Sequence, residues 1–253
     1  MFLLCAALAF AVQWVMFIHS RIKNTEHYFD LTGSITYLVM IAFALWASPE
    51  SAARDWLVAG LIAIWALRLG PFLFMRIREA GEDRRFRSIK AHTPTLLMTW
   101  TLQGLWVFFT SACALAAITG VASEPLGVYA AIGTALWVIG FAIEVIADRQ
   151  KSAFRAKPEN QGAFITTGLW AWSRHPNYFG EITLWVGIAV IAFPVLQGTQ
   201  LFTLISPLWV VLLLTQISGV RMLEARGKKR WGEDPEYQAY VKRTPSLILR
   251  PPK

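Results

Sequence analysis

Seven stretches of this sequence are long and apolar enough to cross a bilayer: 1–19, 31–48, 55–77, 96–119, 126–147, 177–195 and 200–222. A hydrocarbon core asks for about 20 mostly apolar residues per helix. Inside it no water can satisfy an open backbone, so each stretch must close its own hydrogen bonds as a helix. The expected fold is an all-α integral membrane protein with seven transmembrane helices. It is organised as one membrane domain over 1–253, with a basic cytoplasmic tail at 223–253. Composition agrees, because a chain that is 55% hydrophobic and 16% charged, with 12 Trp and 16 Phe, is too apolar for an ordinary soluble domain. The first stretch has neither a basic leader nor a small-residue cleavage site, so it is expected to stay as a helix.

Charge tests the count of seven. Four segments, 20–30, 76–95, 148–176 and 221–253, fall on one side of the membrane and hold 22 of the 24 Lys and Arg. Arg54 alone lies in the opposite loops, and Arg68 lies inside a span. The positive-inside rule then sets the N-terminus outside and the C-terminus in the cytoplasm. Six or eight spans would scramble the asymmetry. The net charge of +8 is thus mostly topology, and it also suits anionic lipid or a phosphate-bearing ligand. Nucleic acid is a poor partner for basic residues spread over membrane loops. Cys5 and Cys113 sit in separate spans and read as small core residues, with no disulfide or metal site expected.

The outer loops, "SPESAAR" and "GVASEP", read as connectors, whereas the cytoplasmic segments mix both charge signs with aromatics. In "RLGPFLFMRIREAGEDRRFRSIK", Arg76 and Arg78 mark the interface. Arg68 lies about two turns deeper and needs a cavity or a partner. Arg84, Arg85 and Arg87 stand beside Glu82 and Asp83, where they can bind an anion or simply fix topology. Further along, Asp148, Lys151 and Arg155 recur at i, i+3 and i+7, one face of a helix that Pro158 should stop. They either pair with one another or hold hydroxyls and a phosphate. Glu144 lies one turn deeper. In "SRHPNYFGEITLWVG", Pro176 suits the first helical turn, so Arg174 and His175 sit at a positive helix end, an anion site. Asn177, Glu181 and Trp185 follow on one stripe. Clustered ionisable groups of this kind point to a ligand pocket more than to a single Glu neutralised by burial. In the tail, Glu224 precedes Tyr237 and Tyr240, which at i and i+3 predict a helix with an aromatic face; the alternative is a solvated basic tail on lipid headgroups. Asp30 and Tyr28, in "NTEHYFDLTGS", open the second span, where Asp30 either caps the helix or meets the mouth of a bundle cavity.

The pattern W-x-S-R-H-P-N-Y-F-G-E-x-x-x-W, with the tail Glu and tyrosines, G-E-D-R-R-F and the Asp148/Arg155 pair, resembles the bacterial membrane reductases related to steroid 5α-reductase. Isoprenylcysteine carboxyl methyltransferases share the R-H-P-x-Y core and the Glu and Tyr pattern of the tail. Asn177, Glu181 and Trp185, with Asp148 and Arg155, look more like the reductase branch. The resemblance implies a seven-helix fold in the bacterial inner membrane that holds NADPH between the cytoplasmic half of the bundle and its loops. It implies hydride transfer to the β-carbon of an enone lipid, with a 3-oxo-Δ4-steroid as the leading substrate. The cofactor-binding residues it implies are Arg84, Arg87, Asp148, Lys151, Arg155, Arg174, His175, Asn177, Glu181, Trp185, Glu224, Tyr237 and Tyr240. No G-x-G-x-x-G follows a strand, so the phosphates would need loop cations rather than a Rossmann turn.

Hydride addition builds negative charge on the carbonyl oxygen, and something must donate to it. The steroid reductases use a Glu and Tyr pair from the second and third spans. Asp30 looks like the position of that Glu. "RLGPFLF" offers Phe72 and Phe74 in place of the Tyr, so Tyr28 would supply the hydroxyl or Arg68 the positive charge. Two other functions stand against the reductase: an S-adenosylmethionine-dependent membrane methyltransferase and a non-catalytic lipid-binding protein. Seven spans without paired halves argue against an inverted-repeat transporter. The expected partners are an apolar sterol-like substrate and membrane lipid, and a monomer is compatible with the sequence.

Overall fold

A computed structural model describes every residue except Pro49, Arg84 and Lys253, and those described are helical or irregular, with no strand. The helices are α1 (Phe2–Lys23), α2 (Phe29–Trp46), α3 (Ala53–Ala80), the short α4 (Phe86–Ile89), α5 (Thr93–Ile118), α6 (Val128–Ala156), α7 (Pro176–Ala192), α8 (Ser206–Leu212), α9 (Val220–Trp231) and α10 (Pro235–Arg243). Seven spans among the described residues are long and apolar enough to cross a membrane. The chain is therefore an all-α integral membrane protein.

Each span ends where its sequence dictates. Asn24 stops α1 in the left-handed conformation, its N–H bonded to Ser20 O, a position that Asn tolerates better than most residues. The Asp55 carboxylate accepts the Ala52 N–H at 2.8 Å and so closes the first turn of α3. Pro94 in the first turn of α5 and Pro176 at the start of α7 use positions where a missing N–H costs nothing. α6 runs two full turns past the expected end of its span and stops at Ala156, two residues before Pro158. The last span is not one regular helix. It passes from a 3-10 segment at Gly198–Ile205 through α8 to a π turn at Leu213–Ile217, then breaks before α9.

The chain divides into two compact units. Residues 1–130 and 189–206 form the first, in which α1, α2, α3 and α5 pack on one another. Some of its buried polar groups are paired within the unit. Gln13 Nε2 donates to Thr36 Oγ1 at 2.9 Å, and that hydroxyl donates to Thr32 O at 2.7 Å. Arg54, the lone basic residue of the outer loops, is buried; it donates to Ile191 O at 2.6 Å and Pro125 O at 2.8 Å. Cys5 and Cys113 are buried free thiols, as expected of core residues.

Residues 131–188 and 207–253 form the second unit. Here α6 and α7 meet backbone to backbone. A Cβ built on Gly180 would stand 2.5 Å from Gly140 O, and one built on Gly187 would stand 2.5 Å from Gly133 O. The two pairs are seven residues apart on each helix, so the glycines form a seam that allows the axes to close up. The seam sets α7's first turns against the Glu144 turn of α6, and a Cβ on Gly180 would also come within 2.6 Å of Glu144 N.

Candidate functional site

In the second unit the polar residues converge on the segment leading into α7. Ser173 is fully buried and acts as its hub. Its hydroxyl donates to Leu247 O at 2.9 Å and accepts the His175 N–H at 3.1 Å. The Arg174 N–H donates to Pro245 O at 2.9 Å, and the Arg250 N–H donates to Trp172 O at 3.0 Å. The C-terminal segment is thus strapped along residues 172–174 by main-chain bonds, and the Arg174 guanidinium donates to Val241 O of α10 at 3.4 Å.

Those side chains meet on Glu224 of α9. His175 Nε2 lies 2.9 Å from Glu224 Oε1, and Arg174 Nε lies 3.2 Å from the same oxygen. The Arg174 contact is an ion pair rather than a hydrogen bond, because its Nε–H does not point along that line. The Ser246 hydroxyl also bonds to Glu224. Burial pushes the His175 pKa below the ordinary histidine value, and the carboxylate beside it offsets this only in part. A neutral ring that gives its Nε2 proton to Glu224 leaves Nδ1 as an acceptor. That atom is buried and has no hydrogen-bond partner among the described residues. The Tyr178 ring stacks on the imidazole at 5.7 Å.

A second layer is aromatic. Tyr237 and Tyr240 do lie on one helix, α10, and both pack on Phe164, at 5.1 and 5.9 Å. The Tyr240 hydroxyl donates to Trp170 O at 2.7 Å, and burial raises the pKa of both phenols. The Lys151 ammonium lies over the Trp170 ring at 4.2 Å, while the Trp170 indole donates to Ala147 O at 3.0 Å. Of the predicted Asp148, Lys151 and Arg155 face, Asp148 is buried, Lys151 half-buried and Arg155 exposed. On α7, Asn177 and Glu181 are half-buried and Trp185 is buried at 1% exposure. Glu144 is buried as well.

The first unit holds the other predicted residues. Asp30 does not cap α2. The cap position is Tyr28, and Asp30 sits in the first turn with its carboxylate 3.9 Å from Arg76. Tyr28 is exposed, stacks on Phe74 at 5.8 Å and meets His19 edge-on at 5.7 Å. The Arg68 guanidinium lies over Phe72 at 4.9 Å, one turn along α3.

The acids of the "GEDRRF" loop serve the loop itself. Asp83 takes Arg85, and Glu82 takes the exposed Arg87. Burial alone would raise the Asp83 pKa, but the Arg85 guanidinium wins and holds it below the usual carboxylate value. Arg84 lies outside the described residues.

Two groups of residues escaped the sequence reading. Glu26 is buried, pairs with Lys90 and accepts the Asp83 N–H at 3.0 Å, which ties the α1–α2 turn to the loop after α3. Ser173 and the strap it anchors are the other. An acid between "KNT" and "HYF" looks like any loop acid, and a strap made of carbonyl acceptors leaves no side-chain signature. The serine directly before R-H-P was the one available hint.

Comparison with known proteins agrees with a membrane enzyme superfamily that joins steroid reductases and methyltransferases. The "Probable O-methyltransferase ustE" of Ustilaginoidea virens is 30% identical over 163 residues, 56% of this chain and 55% of that protein, so the chain spans about half of that relative's length. No solved structure matches. The family described as Protein of unknown function (DUF1295) matches residues 16–244, and the chain belongs to it.

Proposed function

We propose that this protein is an NADPH-dependent membrane reductase that saturates the C=C bond of an enone lipid, with a 3-oxo-Δ4-steroid as the leading substrate. The observation that carries the reading is the Arg174–Glu224–His175 cluster, fixed by the C-terminal strap. Its Nδ1 is buried and without a hydrogen-bond partner among the described residues, an acceptor that a carboxamide or a ribose hydroxyl would satisfy. The rest of the donor set fits a dinucleotide. Arg155 is an exposed cation for a phosphate, Lys151 lies beside it on the same helix face, and the aromatic layer of Phe164, Tyr237 and Trp231 offers flat apolar surface. When bound, NADPH would supply the hydride that the enone's β-carbon receives. Asn177, Glu181 and Trp185 are the motif residues that tilt the reading toward reduction.

The carbonyl oxygen needs a donor, and Asp30 is the residue proposed to provide one. A carboxylate paired with Arg76 accepts and cannot donate. Asp30 therefore acts either when protonated or by orienting the Tyr28 hydroxyl, with Arg68 as the alternative positive charge.

A second reading has its own support: the curated relative described as a probable O-methyltransferase makes S-adenosylmethionine the competing cofactor. One purification separates the two. The protein is purified in detergent, the nucleotide that stays bound is identified, and NADPH oxidation is followed with progesterone. NADPH should be retained and its oxidation should require the enone. Asp30→Asn should keep the nucleotide yet lose turnover about a hundred-fold, the usual size for a lost oxyanion donor. Bound S-adenosylmethionine, with no NADPH oxidation by any enone, would replace the reductase with the methyltransferase.

A further inference from the structure

Outside the Arg174–Glu224 cluster, the second unit carries a cleft of about 490 Å³ between the 162–166 loop and the α9–α10 turn. That volume is in the range of small-molecule sites. Phe164, Trp231, Asp234, Glu236 and Arg243 line it.

Its aromatic walls are fixed. The Trp231 indole donates to Gly162 O at 2.7 Å, the Arg230 guanidinium covers one of its faces at 4.9 Å, and Phe164 meets it at 5.6 Å. The polar groups are arranged along α10. Asp234 is committed to capping, since its carboxylate accepts the Glu236 N–H at 2.8 Å. Glu236 and Arg243 are both exposed, and neither forms an ion pair among the described residues. They stand seven residues apart on one helix, so roughly 10 Å of rise separates the acceptor end from the cationic end.

The complement of such a cleft has hydrogen-bond donors at one end, a flat ring in the middle and a phosphate at the other end. We propose that the cleft takes the adenosine 2′-phosphate end of the dinucleotide, with Arg243 binding the 2′-phosphate and Glu236 the exocyclic amine of adenine. The inference rests on the reductase reading and makes Arg243 the residue that selects NADPH over NADH. The 5′ side of the nucleotide leaves toward the Arg174–Glu224 cluster, because Tyr237, which packs on Phe164, sets its hydroxyl against Gly227, three residues along α9 from Glu224. The 2′ position is then the one left for Arg243. A zwitterionic lipid headgroup is too short, since only two carbons separate its amine from its phosphate ester, and it has no flat ring to lay against the aromatic wall that Phe164 and Trp231 form together. A guanidinium suits the phosphate because it offers paired N–H donors.

The test uses the full-length protein in detergent and two probes that differ only in the 2′-phosphate, 2′,5′-ADP and 5′-AMP. Wild type should bind 2′,5′-ADP about ten- to a hundred-fold more tightly by calorimetry, the size of one charge-assisted contact. Arg243→Ala should bring the ratio close to one and leave 5′-AMP affinity and the thermal midpoint unchanged; Arg243→Lys should keep part of the preference. If Arg243→Ala keeps the wild-type ratio, the assignment of the cleft is wrong while the reductase reading stands. If wild type binds neither probe nor NADPH, both fail. If it binds S-adenosylmethionine and ignores the 2′-phosphate, the cleft is not a 2′-phosphate site and the methyltransferase reading takes over.

Discussion

His175 shows how one side chain links burial and charge. Its ring is 6% exposed, and burial depresses its pKa while Glu224 partly restores it. The sign of the consequence follows from linkage. Above the ordinary value of 6.5 the ring is neutral in both the folded and the unfolded chain. As pH falls below that value the unfolded chain takes the proton first, so stability drops until the folded-state pKa is reached. The thermal midpoint in detergent should therefore fall as pH is lowered from 7 through the region just below 6.5. The slope should be at most about 1.4 kcal/mol per pH unit, the value for one proton. His175→Gln should flatten that segment of the profile. A wild-type midpoint that is level across it would show that the ring is not held neutral. Asp83 behaves in the opposite region. Its depressed carboxylate contributes stability that is lost only below the ordinary carboxylate value of 3.8, so the two groups do not overlap.

The close contact of α6 with α7 is the feature that brings Glu144 and Asp148 alongside the first turns of α7, and it depends on glycine. A side chain at Gly180 has nowhere to go, since its three nearest neighbours are all backbone atoms and cannot rotate away. Gly180→Val should lower stability by about 1–3 kcal/mol or more, as overpacking does. It should also weaken the proposed NADPH binding if Asn177 and Glu181, which ride on the displaced turns, contact the cofactor as proposed. Gly60→Ala is the matched control, for a Cβ there meets nothing within 4 Å, and its effect should stay within about 1 kcal/mol. Equal melting curves for the two variants would mean that the seam is not what holds the pair. This scale also marks what the sequence made legible. Span positions, the stop before Pro158, the start at Pro176 and the aromatic face of α10 were readable because each follows from local chemistry. The π turn at Leu213–Ile217 was not, since hydropathy does not distinguish i→i+4 from i→i+5 bonding in an apolar run. The meeting of Arg174 and His175 with Glu224 required a contact across 49 residues, which no local pattern encodes.

At the scale of the whole molecule, the seven spans and the placement of charge have to agree. The spans fix that the segments after α1, α3 and α6 and the C-terminal residues share one side, and those segments hold nearly all the Lys and Arg. Arg54 is the exception, and its structure explains why it does not weaken the argument. It is buried among carbonyl oxygens of Ile191 and Pro125 rather than presented to a membrane surface, so it acts as a local tie and carries little topogenic weight. Charge bias within short loops sets orientation, and here the bias falls on one side almost without competition. The C-terminus should therefore lie in the cytoplasm and the N-terminus outside. A reporter that needs the periplasm, fused after Lys253, should be inactive, whereas a fusion in the 119–127 connector should be active. The reverse pattern would invert the assignment, and activity at both points would break the count of seven. With that orientation the segment leading into α7, which carries Arg174 and His175, would face the cytoplasm, the side from which the proposed NADPH would have to reach it.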